Sequence, residues 1–428
     1  MTRTLIDDCF RPGQPKLSHA EAIETLKNAV LPRPAVVEIS MSDALGRGLA
    51  QDVVATEPVP AHTNAAVDGY AFAYTPQSYA SGAVLPVSGR AAAGHPAVEP
   101  ASTAAATRIF TGAVMPAGLD TVVMQEDVER TERNDVAFVS IPAGVKSGAN
   151  VRKAGEDVQA GATLYKTGDR LRPHDLAALA SIGIGRVRCY DRLRVAIVST
   201  GDEVLAAGSA HLKPGQVYDA NTPMLAALVG SAGAVVESLG IWPDNRDVVT
   251  ANLAAAAKTY DVILTTGGAS LGEEDHMAAA LSALGKRHLW QIAIKPGRPM
   301  MFGQISTGTR NTIVVGLPGN PVAVFVCFLM YVYPLLRAVG GGVWPEPRRL
   351  ILPAAFDFTG RKTGRREFWR GRMVQSQTGT LVEKFPRDGS GLISGLCWSN
   401  GLIDIPEHHG DIARGDPVAF IPYTEFGF

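Results

Sequence analysis

The stretch Leu193-Arg-Val-Ala-Ile-Val-Ser-Thr-Gly-Asp-Glu203 decides the fold. Leu193–Ser199 is an apolar, β-branched run, the composition of a strand buried on both faces. It stops at Thr-Gly-Asp-Glu, the kind of Gly turn that follows a strand of an open α/β sheet. The pattern recurs. Asp261–Thr265 is a second buried strand and runs into Thr266-Gly-Gly-Ala-Ser-Leu-Gly-Glu-Glu-Asp275. Ile313–Val315 is a third and ends in Gly316-Leu-Pro-Gly-Asn-Pro321. Between these strands Asn221-Thr-Pro opens a helix, Val235–Leu239 reads as a strand and Arg246–Lys258 as a helix, with another helix over 321–337. Alternating strands and helices predict a parallel sheet covered on both faces over 191–340.

Outside this region the pattern changes. Residues 16–31 predict an amphipathic helix, with Leu17, Ala20, Ile23, Leu26, Ala29 and Val30 at helical spacing and Ser18 and Glu21 at capping-box spacing. From 54 to 148 the chain breaks into short β-like pieces, Val84–Val87, Thr107–Phe110, Thr121–Gln125 and Val136–Ile141, separated by Gly turns. Residues 149–190 return to turns and a helix after Pro173. Past Gly340-Gly341-Gly342 and the Pro-rich Trp344–Pro347, residues 345–428 are β-like again. No repeat of fixed period is present.

Composition narrows the function. The 428 residues carry 40 Lys and Arg against 41 Asp and Glu, a net charge of −1, without the basic balance of a nucleic-acid binder. Hydrophobic residues make up 46%, enough for real cores. The four cysteines, Cys9, Cys189, Cys327 and Cys397, are too scattered for a metal knuckle or a disulfide framework, which points to a reducing compartment. Acids near the N-terminus leave no visible export signal, so a cytoplasmic location is expected. The longest apolar run, Val322–Leu336, contains Pro334 and is shorter than the roughly 20 residues of a membrane span. It predicts a buried helix.

Three Gly turns at the carboxyl edge of one sheet are where such folds bind ligands. Gly lets main-chain N–H groups approach a phosphate, and helix N-termini favour anions. The turns fit neither Walker A nor Gly-x-Gly-x-x-Gly. Their acids, Asp202, Glu203, Glu273, Glu274 and Asp275, would repel a phosphate unless a divalent cation bridges them. Glu273 and Glu274 read as helix caps, Glu203 and Asp275 as functional. Ile294-Lys-Pro-Gly-Arg-Pro299 presents Lys295 and Arg298 on a Pro-stiffened turn, suited to an oxyanion. Gly364-Arg-Arg-Glu-Phe-Trp-Arg-Gly371 adds Arg365, Arg366 and Arg370. Strand alternation would put Arg366, Phe368 and Arg370 on one face, either gripping an oxyanion or guarding a sheet edge. His408-His409 lacks a third ligand and reads as surface.

Taken in order, these motifs resemble the molybdopterin molybdenumtransferases, the family that includes the E domain of gephyrin. The matching stretches are Asn64-Ala-Ala-Val-Asp-Gly-Tyr-Ala71, Ile109-Phe-Thr-Gly-Ala113 with Pro116, Val122-Val-Met-Gln-Glu126 and Val151-Arg-Lys-Ala-Gly-Glu-Asp157, then Ser199–Glu203, Tyr218-Asp-Ala-Asn221, Gly267–Asp275, Lys295–Pro299, Leu317–Pro321 and Arg365–Gly371. The resemblance implies a multidomain α/β plus β fold, an L-shaped subunit and a homodimer. A split N-terminal unit (1–53 and 149–190) would embrace an inserted β unit (54–148). A molybdopterin-binding parallel α/β unit (191–340) and a C-terminal β-barrel (345–428) would follow.

The resemblance also implies the reaction. Adenylylated molybdopterin is cleaved, molybdate enters its dithiolene, and molybdenum cofactor and AMP are released with Mg²⁺ assisting. Carried over by position, Lys295, Arg298, Pro299, Ser270, Arg370 and Ser390 would line the molybdate pocket. Gly201, Gly267, Gly268, Pro318, Gly319 and Asn320 would be further cofactor-binding positions. Glu203, Asp244 and Asp275 would be the acids at the phosphoanhydride, with Glu203 and Asp275 on the metal. Asp68, Thr111, Arg152 and Asp157 would act in trans from the dimer partner. An upstream adenylyltransferase and downstream molybdoenzymes or carriers are the implied partners, with neither nucleic acid nor membrane among them. Val67 replaces the family's usual Met, Arg298 its Lys, and Gln291 a Lys present in some members. The rival expectation is an inactive member serving as a scaffold or carrier of molybdopterin.

Overall fold

The computed structural model describes residues 16–29, 34–97, 101–209, 211–267, 276–308, 310–377 and 379–428. Gly268, Ser270 and Asp275 therefore lie outside the described residues.

The central sheet has six strands in the order Val235–Trp242, Arg194–Thr200, Val262–Thr266, Asn311–Leu317, Pro299–Ser306 and Lys286–Gln291. The first four are parallel, as the strand–helix alternation predicts. The last two are antiparallel, which the sequence reading did not anticipate. The cause is connection length. The link from Ser306 to Asn311 is far too short for a crossover helix, so Pro299–Ser306 can only fold back as a hairpin. Burial on both faces is visible along Arg194–Thr200. Val195 and Ile197 join a core with Leu225, Phe328 and Leu336. Ala196 and Val198 join another with Val249, Leu253 and Met277.

The apolar run is a core helix as expected, with Pro321–Val339 89% buried. It is α-helical over Pro321–Cys327 and Tyr333–Val339, with a π-helical turn at Phe328–Val332 between. That turn precedes Pro334, whose ring has no N–H and would crowd the carbonyl four residues back in a regular helix.

The first helix spans His19–Ala29 and has the capping box. Glu21 N–H donates to Ser18 Oγ at 3.2 Å, and Ser18 N–H to Glu21 Oε2 at 2.8 Å. Ala22, Leu26 and Ala29 pack into the core of the α/β sheet. His19 is buried beside the hydroxyl of Tyr331, at 2.8 Å from its Nδ1. Burial, then the charge of Arg366, pushes the His19 pKa down from 6.5 to about 4. An unfolded chain protonates His19 below about 6.5, and the folded one resists until about pH 4. Stability from this group is therefore complete above pH 6.5 and is lost progressively as pH falls from 6.5 towards 4. His19→Asn is expected to flatten the fall of the melting temperature across that window. An unchanged slope would remove His19 from the account.

Three short antiparallel pairs join the chain before 66 to the chain after 150. They are Val36–Ser40 with Arg186–Tyr190, Val53–Val54 with Thr163–Tyr165, and Asn64–Ala65 with Val151–Arg152. The intervening residues form a six-stranded sheet in the order Thr121–Met124, Gly69–Phe72, Ala106–Ile109, Ala83–Ala91, Val136–Ile141 and Glu129–Arg133. All four β pieces read from the sequence are there. Two further strands lacked the period-2 signal. Gly69–Phe72 is buried on both faces, and Glu129–Arg133 is exposed throughout.

The C-terminal strands run Ile294–Lys295, Arg366–Ser376, Gly401–Ile405, Pro417–Pro422 and Leu350–Pro353, with Gly379–Lys384 also on Arg366–Ser376. A bridge between Ala354 and Val382 links the two ends and closes the sheet around Trp369, Ile403, Ile405 and Phe420. Ile294–Lys295 belongs in sequence to the α/β part, so its pairing docks that part onto the closed sheet.

Candidate active site

The three Gly turns lie side by side. Ser199 pairs with Thr266 across neighbouring parallel strands, and Thr266 with Leu317 across the next pair. The strands therefore end level. Gly267 has φ 85° and approaches Thr200 so closely that a Cβ would come within 2.6 Å of the Thr200 carbonyl oxygen. No other residue type fits there. Glu203 folds over Gly201, whose φ is 127°.

Asn221 ties the turns together. Its Nδ2 donates to Thr266 Oγ1 at 2.8 Å and to the Gly319 carbonyl at 2.7 Å. Beside it, Asp219 accepts from Ser199 Oγ at 2.6 Å and Thr222 Oγ1 at 2.7 Å, and from the N–H groups of Asn221 and Thr222 at 3.0 Å each. Burial opposes ionisation of Asp219, but these donors outweigh it and hold its pKa below the usual carboxylate value. The sequence reads Asn221 only as the residue that opens a helix and gives Asp219 no role; the helix does start at Asn221, but its side chain bonds the turns. The signal was a polar Asp-Ala-Asn between an edge strand and a helix start. Asp202 Oδ1 accepts the Asp244 N–H at 3.2 Å, so the structure brings Asp244 to the Gly201–Glu203 turn. Glu203 and Asp244 are exposed there.

Next to these turns is a cavity of about 390 Å³ lined by Lys295, Arg298, Pro299, Pro318, Asn320, Arg370 and Ser390. It thus collects residues that are widely separated in sequence. The Lys295–Pro299 turn is fixed on both sides. Cys327 Sγ donates to the Gly297 carbonyl at 3.5 Å, and a Cβ on Gly297, at φ 104°, would collide with that sulfur. Lys295 Nζ lies 3.7 Å from Glu367 Oε2. Buried Glu367 is itself held by Trp369 Nε1 at 2.9 Å and Arg365 Nε at 3.0 Å. Arg298 Nη2 donates to Gln291 Oε1 at 3.4 Å, which steadies that cation.

Arg370 is buried, donating to the main-chain carbonyls of Leu392 at 2.9 Å and Arg387 at 2.8 Å. Burial lowers its pKa, and the charge of Asp388 only partly opposes this. The Ser390 carbonyl accepts the Val322 N–H at 3.0 Å, which ties the loop after Phe385 to the start of the core helix. Lys384 and Asp388 also line the cavity, and neither was singled out from the sequence.

Arg366 does not share this role. It makes a two-pronged ion pair with buried Asp404 at 2.6 and 2.8 Å, and Arg349 binds the same carboxylate at 2.8 Å. Its strand lies inside the sheet, so the reading as a charged edge is also set aside.

The remaining expected residues sit together on the inserted unit and its flank. Asp68 Oδ1 accepts from the Thr111 N–H at 2.8 Å and its hydroxyl at 2.7 Å. These bonds, the N–H first, hold the Asp68 pKa below the usual carboxylate value. Arg152 pairs with Asn64 in a short antiparallel ladder, and Asp157 N–H donates to the Val59 carbonyl at 3.0 Å. None of the four lines the cavity.

Comparison with known proteins identifies the family. The chain matches the MoeA N-terminal region (domain I and II) over residues 17–183, a probable molybdopterin binding domain over 196–338 and the MoeA C-terminal region (domain IV) over 352–423. It is 35% identical to a molybdopterin molybdenumtransferase of Haemophilus influenzae, over 92% of this chain and 96% of that one. Another from Nostoc sp. is 40% identical over 70% of this chain and 68% of its own. A molybdopterin biosynthesis moeA protein of Pyrococcus horikoshii OT3 superposes with a TM-score of 0.80 at 28% identity, covering 96% of this chain and 100% of that one. With its three regions matched in order and relatives aligned along nearly its full length, the chain belongs to the molybdopterin molybdenumtransferase family.

Proposed function

We propose that the protein inserts molybdate into adenylylated molybdopterin, releasing AMP and forming molybdenum cofactor. The observation that carries this reading is the cavity in which Lys295, Arg298 and Arg370 converge beside three level Gly turns. Molybdate is a tetrahedral dianion that only accepts hydrogen bonds. Fixed cations, with the amide of Asn320 and the hydroxyl of Ser390, are the groups that hold it. Gly201, Gly267 and Gly319 present main chain to the substrate's phosphates, a role assigned by sequence position to Gly268 as well, and Asn221 keeps the turns of Gly267 and Gly319 in register. Pro299 and Pro318 stiffen the two walls between the sites, and Ser270 supplies a hydroxyl. Water attacks the phosphoanhydride and AMP leaves, and the two dithiolene thiols then displace one oxide of the bound oxyanion, which departs with their protons as water.

Glu203, Asp244 and Asp275 are the acids assigned to the anhydride. Among the described residues no three His, Cys, Asp or Glu side chains are gathered for a metal. That donor set still fits Mg²⁺, which takes one or two carboxylates and completes its shell with substrate phosphates and water. Glu203 and Asp275 would hold it, and the bound ion would neutralise anhydride charge. Asp68, Thr111, Arg152 and Asp157 serve the α/β site of a second subunit in a homodimer. The bounds 1–53 with 149–190, 54–148, 191–340 and 345–428 belong to the same proposal. Separate apolar cores support them, with the adjustment that His19–Ala29 packs on the α/β unit. A cytoplasmic enzyme, fed by an adenylyltransferase and serving molybdoenzymes or their carriers, completes it.

The test is to supply adenylylated molybdopterin, Mg²⁺ and molybdate and to follow AMP together with reconstitution of an apo-molybdoenzyme. Molybdate-dependent release of AMP with active product is expected. Tight pterin binding without turnover would leave the scaffold reading.

A further inference from the structure

The cavity contains a charge pair that the reaction as described does not use. Lys384 Nζ lies 2.8 Å from Asp388 Oδ1, and both residues line the same wall as Arg370 and Ser390. The lysine is anchored independently of its partner. Its side chain is only 9% exposed, its ammonium donates to the Phe385 carbonyl at 3.3 Å, and it lies 5.2 and 5.3 Å from the ring centres of Phe358 and Trp369. Asp388 is different. Its side chain is half exposed, and the loop that carries it contributes Gly389, with φ 136°. Burial raises the Asp388 pKa, but Lys384 first, then the charges of Lys295 and Arg370, hold it below the usual carboxylate value. The carboxylate therefore sits, ionised, among the cations expected to meet the oxyanion.

The charge balance gives this a consequence. Lys295, Arg298, Arg370 and Lys384 face the cavity, and Glu367 and Asp388 pair with two of them. Glu367 is shared with Arg365, so over these seven groups, five cations and two carboxylates, the formal excess is three positive charges, which draws a dianion. An acceptor-only carboxylate next to an acceptor-only oxyanion is repulsive. The two must compete for the same ammonium.

We infer that Lys384 is a further oxyanion-binding cation and that Asp388 is its resting partner, displaced when the dianion enters. The inference rests on the reading of this cavity as the molybdate site. Asp388 then acts as a tethered competitor that weakens molybdate binding, and Lys384 is part of the specificity for a dianion.

The experiment is calorimetric titration of the full-length protein with sodium molybdate at constant ionic strength. Wild type, Arg370→Ala, Lys384→Gln and Asp388→Asn are compared, each with a thermal melt. Lys384→Gln is expected to weaken binding about tenfold, the loss of one charge-assisted contact. Asp388→Asn is expected to tighten it about threefold, a small gain because the carboxylate is half in solvent. The second sign is decisive. If the pair only buttressed the wall, removing either partner would leave affinity unchanged or lower it. Unchanged or weaker binding by a folded Asp388→Asn protein, with wild type binding normally, overturns this inference and leaves the pocket reading intact. Absence of molybdate binding by wild type overturns both.

Discussion

Replacing Arg370 by alanine is expected to lower molybdate-dependent AMP release by about two to three orders of magnitude. Arg370 is 7% exposed, and its guanidinium donates to the carbonyls of Leu392 and Arg387. Such bonds fix its position without cancelling its charge. The guanidinium carbon lies over the Phe385 ring, 4.8 Å from the ring centre. A desolvated cation so placed gains most when an oxyanion arrives, because the interaction is not diluted by water. Removal also strands two carbonyls at the loop that carries Ser390, so part of the loss is positional. Arg370→Lys separates the two effects. It keeps the charge and loses the fork that grips both carbonyls, so an intermediate loss of about tenfold is expected. A raised molybdate requirement in both variants, with adenylylated molybdopterin still bound, would mark the defect as one of oxyanion capture. Near-normal turnover in the alanine variant would remove Arg370 from the site.

The sequence conveyed the central sheet because burial on both faces needs a local composition, apolar and β-branched, that can be read in isolation. The run beginning at Leu193 became Arg194–Thr200, and Asp261–Thr265 became Val262–Thr266. The cations of the cavity were legible for a similar reason. Lys295 and Arg298 sit on a Pro-Gly-Arg-Pro turn whose rigidity is itself written in the residues. The roles of Arg366 and Lys384 were not legible. Both are long cations on strands of the closed C-terminal sheet, and only tertiary partners distinguish them. Arg366 meets Asp404, 38 residues along the chain, and becomes structural. Lys384 meets Asp388 inside the cavity and faces the site. Asn221 was likewise hidden, because its importance comes from two acceptors, Thr266 and Gly319, on different turns.

Asp275→Asn is expected to slow AMP release by two or more orders of magnitude while leaving folding and pterin binding intact. Asp275 lies outside the described residues, and its place in the chain sets what it can do. It closes a Gly-Gly-x-Ser-x-Gly-x-x-Asp sequence and is followed in the chain by His276, the first described residue of the helix His276–Leu284. Two roles compete at that position. A helix cap needs only a side-chain oxygen to accept a main-chain N–H, and Asn serves about as well as Asp. A ligand of Mg²⁺ needs negative charge, and a neutral amide is a much poorer partner for a hard cation. The substitution preserves the first role and removes the second. The distinction therefore lies in which measurement moves. A cap would leave AMP release near wild type. A metal or anhydride role would lower it steeply at an unchanged melting temperature, with partial recovery as Mg²⁺ is raised. A lowered melting temperature together with a proportionate loss of activity would instead return Asp275 to a purely structural role. Because Glu203 is assigned to the same ion, Glu203→Gln should shift the Mg²⁺ dependence in the same direction. The double variant should lose less than the product of the single losses, since the second substitution acts on a site already without its ion.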